Sequence, residues 1–183
     1  MTTILLSRDV FGLWLNDEGL LGEGVEVGCA FGHNAATILS QWKGQRLYLV
    51  DPWVRQPPEV YREDTETVDY EQWYKDCCAL AERDPRAVIR REFSVEAAKG
   101  FEDGSLDFAY IDGNHSYGAV LADLDAWWGK IKPRGVLCGH DLYQATEPPH
   151  FCEVESAVTR WMHEHSQPFQ FTPACSSWWS RKP

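Results

Sequence analysis

Between Leu106 and Leu142 the chain reads LDFAYIDGNHSYGAVLADLDAWWGKIKPRGVLCGHDL, two unbroken apolar runs separated by one helical period. Continuous apolar runs of this length suit strands covered on both faces, which is the habit of a parallel sheet. Between them Val120, Leu121, Leu124, Trp127, Trp128 and Ile131 fall on one helical face, with Asp123, Asp125 and Lys130 placed toward water, and Pro133 and Gly135 end the helix. The first run closes on Asp112 and the second on the adjacent pair His140 and Asp141. In an open parallel sheet the carboxyl ends of the strands border the ligand crevice. Asp112, His115, His140 and Asp141 are therefore expected around one cleft.

An earlier stretch has the same grammar. Val25-Glu-Val27 opens a strand that runs into Gly28-x-Ala30-x-Gly32, and a helix follows through Ala35, Ala36, Ile38, Leu39 and Trp42. Small residues at alternate positions let backbone pass close to a ligand, and the helix N-terminus offers it free N–H groups. The spacing differs from the G-x-G-x-x-G of a dinucleotide fingerprint. The next strand, Arg46 to Val50, ends at Asp51, placed to accept the ribose hydroxyls of a nucleoside, or else to form the turn before Pro52.

The remaining segments frame these two. Residues 1–22 form an N-terminal helical segment, with Val10, Leu13, Trp14 and Leu20 as its apolar positions. Residues 53–69 carry adjacent prolines and no period, as expected of a lid or binding loop. Asp69 caps a helix with Tyr70, Trp73, Tyr74, Cys77, Leu80 and Ala81 on one face. Ala87 to Arg90 makes a third strand, and Val95, Ala97 and Ala98 begin a further helix. Residues 143–152 read as irregular; a helix with Val154, Ala157, Val158, Trp161 and Met162 inward follows, then two antiparallel edge strands over residues 169–171 and 176–180. The 183 residues fit one domain.

Charge and composition exclude several classes. With 28 acidic against 17 basic residues the net charge is -11, a field that repels phosphate backbones and disfavours nucleic acid. No apolar run reaches a membrane span and no signal peptide opens the chain, so a cytoplasmic protein is expected. The six cysteines lack C-x-x-C spacing and read as reduced and structural. Nine tryptophans either line a cleft for a ring-shaped ligand or pack the core.

Val25 to Gly32, Leu49-Val-Asp-Pro-Trp53 and Ile111-Asp-Gly-Asn-His-Ser-Tyr117 leading to Gly135-Val-Leu-Cys-Gly-His-Asp141 resemble a class I S-adenosylmethionine-dependent methyltransferase. More narrowly, D-G-x-H-x-Y and the closing H-D pair resemble the small enzymes grouped with macrocin and mycinamicin sugar O-methyltransferases and cephalosporin hydroxylase-like proteins. The resemblance implies an α/β fold: a Rossmann-like, seven-stranded, mostly parallel sheet with helices on both faces and an antiparallel last strand. It implies S-adenosylmethionine as cofactor, with Glu26, Gly28, Ala30 and Gly32 around its methionine part, Asp51 on the ribose, Ser94 near the adenine and Asp112 beneath the sulfonium. It further implies a divalent metal on Asp112, His140 and Asp141, with His115 as base toward a small-molecule methyl acceptor. His140 stands where that narrower pattern has a carboxylate, which moves the preference from magnesium toward manganese, iron or zinc. Two rivals stay open: an iron site of two histidines and one carboxylate for oxygen chemistry, and a silent cofactor-binding protein. A homo-oligomer is compatible with either.

Overall fold

The computed structural model describes residues 7–61, 67–147 and 150–183. Along the chain run α1 (Phe11–Asp17), β1 (Glu23–Val27), α2 (His33–Gln41), β2 (Arg46–Val50), α3 (Tyr70–Arg83), β3 (Ala87–Arg90) and α4 (Ser94–Ala98). Then come β4 (Leu106–Ile111), α5 (Tyr117–Trp128), β5 (Ile131–Gly139), β6 (Ala145–Glu147), β7 (His150–Cys152), α6 (Val154–Glu164), β8 (Gln170–Thr172) and β9 (Ser177–Arg181). Seven strands form one sheet in the order β3-β2-β1-β4-β5-β9-β8. The first five are parallel, and β9 runs antiparallel to both its neighbours. The order reverses between β1 and β4, where Val25 pairs with Ala109 and Val27 with Ile111, and this switch point opens the crevice.

Every residue of β4 is buried, because successive side chains enter opposite cores. Phe108 and Tyr110 pack under α1, α2 and α3, whereas Ala109 and Ile111 pack under α4, α5 and α6. The tryptophans mostly serve these two layers: Trp42, Trp53, Trp127, Trp161 and Trp178 are almost wholly buried, and only Trp73 borders the cavity above the carboxyl ends of the strands. The cysteines are free thiols, four of them buried.

Several elements depart from the sequence expectation. α5 stops at Trp128 and Ile131 already belongs to β5, because the Leu106 amide bonds the Lys130 carbonyl and draws the chain into the sheet. Pro133 is tolerated in β5 because the register shifts there, Ile131 opposing Leu106 but Val136 opposing Phe108. In the N-terminal segment Phe11, Trp14 and Leu15 carry the packing, while Val10 and Leu13 are exposed. Residues 1–6 of that segment lie outside the described residues. The stretch after Leu142 contains a short antiparallel hairpin, β6 with β7, too brief to leave a period in the sequence.

Asp123 is the most consequential difference. It is 5% exposed and sits in the stripe Val120, Asp123, Leu124 and Trp127, at the i, i+3, i+4, i+7 spacing of an inward face. The helical period, not the residue type, decides which side it takes.

Candidate active site

Above the carboxyl ends of β1, β2 and β4 lies a cavity of about 330 Å³. Gly28, Ala30, Asp51, Ser94, Asp112 and Asp123 all contribute to its wall. The loop after β1 enters it through three left-handed residues, Gly28 (φ 83), Ala30 (φ 48) and Gly32 (φ 82). At Gly28 glycine is required, since a Cβ would collide with the Asp112 carbonyl oxygen. The close pass is fixed by backbone bonds, Gly28 N–H to Val50 O and Asp112 N–H to Val27 O, each 2.9 Å.

Asp51 forms the turn that the sequence offered as one of two readings, and its side chain also borders the cavity. Its Oδ2 accepts the Ala30 N–H at 3.1 Å and its Oδ1 the Trp53 N–H at 2.7 Å, so it pins two loops. Burial pushes its carboxyl above the usual range, against the pull of those amides. A third backbone amide, that of Cys29, also pulls on the carboxyl, and the side chain still faces the cavity. Trp53 completes the clasp, its indole N–H donating to the Ala30 carbonyl at 2.7 Å.

Glu26 and Gly32 are not on the cavity wall. Glu26 is 1% exposed, accepts the Asn34 amide at 2.9 Å, and is pushed up to about 8 by burial, with Asn34 opposing the shift. It braces the loop against α2 from behind, and Gly32 supplies the turn into that helix.

At the other end of the cavity Ser94 Oγ accepts the Trp127 indole N–H at 2.9 Å, and Asp123 lies beside it. Burial pushes the Asp123 carboxyl up to about 7, and its hydrogen bond with Ser94 opposes the shift. A carboxyl raised in the folded state stabilises it fully below the unfolded value near 3.8, and that contribution is lost as pH rises toward about 7. Asp123→Asn is neutral throughout, so it is expected to be more stable than the parent at pH 8, by up to about 4 kcal/mol on the linkage scale. The advantage shrinks toward pH 5; thermal melts with the same pH dependence in both proteins would contradict this.

A charged cluster adjoins the Asp112 side of the cavity. His115 Nε2 is 3.5 Å from Asp141 Oδ2 and 3.8 Å from Asp112 Oδ1. His140 Nδ1 is 2.9 Å from Asp141 Oδ1. Asp141 adopts φ 55, a left-handed turn that aspartate tolerates better than most residues. Burial raises the Asp141 carboxyl, but His140 first, then His115 and Arg8, outweigh that and hold it below the usual range. His115 is fixed through its backbone: its carbonyl accepts the Glu153 N–H at 2.8 Å, and Glu153 Oε2 caps the Tyr117 N–H at 3.0 Å.

Among the described residues, one set of three potential ligands brings its donor atoms within 4.8 Å of one another: Asp112, His115 and Asp141. Two of the three expected metal ligands are in it, with His115 in place of His140. The cluster also contains a residue that nothing in the sequence signalled. The Arg8 guanidinium is 2.6 Å from Asp112 Oδ2 and 3.9 Å from Asp141 Oδ2.

Part of the loop after β2 borders the cavity. Val54, Gln56, Val60 and Tyr61 contribute to the wall, and Asn114 Nδ2 donates to the Val60 carbonyl at 2.7 Å, tying loop to cleft. Residues 62–66 of the expected lid lie outside the described residues.

The sheet order, the left-handed glycine loop and the acid at the tip of β2 define the architecture of class I S-adenosylmethionine-dependent methyltransferases. The chain belongs to the family described as Methyltransferase domain, whose sequence profile matches residues 25–142. Solved structures agree on the fold. A protein put forward as a caffeoyl-CoA O-methyltransferase from Staphylococcus aureus superposes with a TM-score of 0.68 at 13% identity, over 96% of this chain and 82% of that one. The N-methyltransferase NodS from Bradyrhizobium japonicum WM9, in complex with S-adenosyl-L-homocysteine, gives 0.64 at 17% identity over 95% and 84%. Among curated proteins, y4gI of Sinorhizobium fredii, itself uncharacterized, is 41% identical over 54 residues, 30% of this chain. The chain spans only 6% of that relative's length. Among the described residues no helix is long and apolar enough to cross a membrane.

Proposed function

We propose that this methyltransferase acts on an oxygen of a small hydroxylated molecule, with His115 as general base. The observation that carries the reading is His115 Nε2 held between Asp112, which borders the cofactor cavity, and Asp141. A neutral amine attacks a sulfonium methyl without help, whereas an alcohol must lose its proton, so a placed imidazole favours an oxygen acceptor. The acceptor oxygen forms the new bond to the methyl carbon, and the C–S bond pair returns to sulfur, leaving S-adenosylhomocysteine. The hydroxyl proton passes to His115, and the imidazolium is met by the two carboxylates. Val54, Val60, Val68 and Trp73 give the cavity an apolar side, which suits an acceptor with an aromatic or other apolar body. The neighbours include proteins put forward as O-methyltransferases, from Staphylococcus aureus and Klebsiella pneumoniae, the second with a TM-score of 0.63 at 11% identity.

A divalent ion is the other means of acidifying a hydroxyl. Three donors approach one another, but the Arg8 guanidinium already lies 2.6 Å from Asp112 Oδ2 and 3.9 Å from Asp141 Oδ2, a positive charge beside the place an ion would take, so no resident metal is proposed. The iron alternative fares less well, because His140 is not part of the converging set.

Incubation with methyl-labelled S-adenosylmethionine and a panel of phenols, catechols and sugars is expected to give an O-methylated product, with one S-adenosylhomocysteine per label. Cofactor binding with no label transferred to any oxygen acceptor would favour the silent binding protein instead.

A further inference from the structure

We infer that Arg8 is the built-in cation of this active site: its guanidinium occupies the space between Asp112 and Asp141 that a divalent ion would need, and excludes such an ion. The contact spans 104 residues of sequence, at 2.6 Å to Asp112 and 3.9 Å to Asp141. Two carboxylates this close, largely shielded from water, repel unless a positive charge lies between them. A guanidinium stays charged at any working pH. A metal ion bridging the two carboxylates would sit within a few ångströms of this guanidinium, and the two positive charges repel.

The position of Arg8 is structural rather than accidental. It opens a short 3-10 turn, Arg8–Val10, that runs directly into α1. Phe11 and Leu15 of that helix are 1% and 0% exposed, so the segment is anchored in the core. The carbonyl of Asp9 accepts the Gln41 side-chain amide at 2.6 Å, tying the turn to α2. Burial lowers the Arg8 pKa, but Asp112, Tyr110 and Asp141 more than offset it, leaving the guanidinium above its usual range. The side chain therefore gains more from its acidic neighbours than it loses on leaving water.

In the reaction Arg8 would hold Asp112 in one orientation against the methyl-bearing end of the cofactor, which makes it a positioning residue. That role rests on the methyl-transfer reading; the exclusion of metal does not. The two fail separately, because metal exclusion is measured on the cofactor-free protein.

The test is manganese binding by the full-length chain, read from the loss of the free Mn²⁺ electron paramagnetic resonance signal. The parent is expected to leave millimolar Mn²⁺ free. Arg8→Ala is expected to bind one ion, roughly a hundredfold tighter or more, which is the scale of removing a charge a few ångströms away. Arg8→Ala with Asp141→Asn should lose that site again, and Arg8→Lys should keep it closed. Circular dichroism checks each variant, and Arg8→Gln serves if the alanine variant fails to fold. Manganese binding by the parent as tight as by Arg8→Ala, or no binding by a folded Arg8→Ala or Arg8→Gln, would overturn the inference.

Discussion

Asp51→Ala is expected to weaken S-adenosylhomocysteine binding by at least about a hundredfold, since each hydrogen bond to a charged group contributes roughly 1.5–3 kcal/mol and a ribose diol offers two. The carboxylate faces the cavity, although each oxygen already takes a backbone N–H. Those amides belong to Ala30 and Trp53, so the substitution also frees the loop that the cofactor must pass. Asp51→Asn separates the two contributions: it keeps one acceptor oxygen for the loop and removes the charge, and should fall between parent and alanine. Isothermal titration calorimetry reads all three. An alanine variant that folds and binds as the parent does would remove Asp51 from the cofactor site.

His115→Ala is expected to lower kcat by about 10²–10⁴, the usual contribution of a general base, while leaving cofactor affinity nearly unchanged. Cofactor affinity should survive because His115 is not on the wall of the cavity, although its neighbours Asp112 and Asn114 are. The separation of kcat from binding distinguishes a base from a residue that merely shapes the cleft. His140→Ala acts at one remove, through Asp141 at 2.9 Å, and should cost less than His115→Ala. A kcat for His115→Ala within about threefold of the parent would assign the proton to another group.

Much of the fold was legible because local signals and buried faces agree. β2 and β3 run over the residues expected of them, and Asp69 caps α3 through the Gln72 N–H at 2.9 Å as its spacing predicts. The α5 to β5 boundary is not legible in the sequence, because Ile131 continues the helical period and also suits a strand; only pairing with Leu106 decides between them. Asp123 follows the inward period of its helix in spite of its residue type.

The site was legible where chemistry sits at strand ends. Gly28, Ala30, Asp51, Ser94 and Asp112 share one cavity, and His115 joins Asp112 and Asp141 in one cluster. Glu26 and Gly32 act behind the loop instead of along the cavity. Arg8 could not have been read: a lone arginine in a short turn has no period, and its partner lies 104 residues away. Long-range charge pairing of this kind follows from the assembled fold, not from any local pattern.

The cofactor is expected to lie in this cavity with its reactive end toward His115. A crystal structure with S-adenosylhomocysteine bound tests it most directly. Ribose hydroxyls are expected on the Asp51 carboxylate, adenine at the Ser94 and Asp123 end, and the thioether sulfur facing Asp112 and the His115 side. A ligand bound elsewhere, or lying in this cavity with its sulfur turned away from His115, would contradict it.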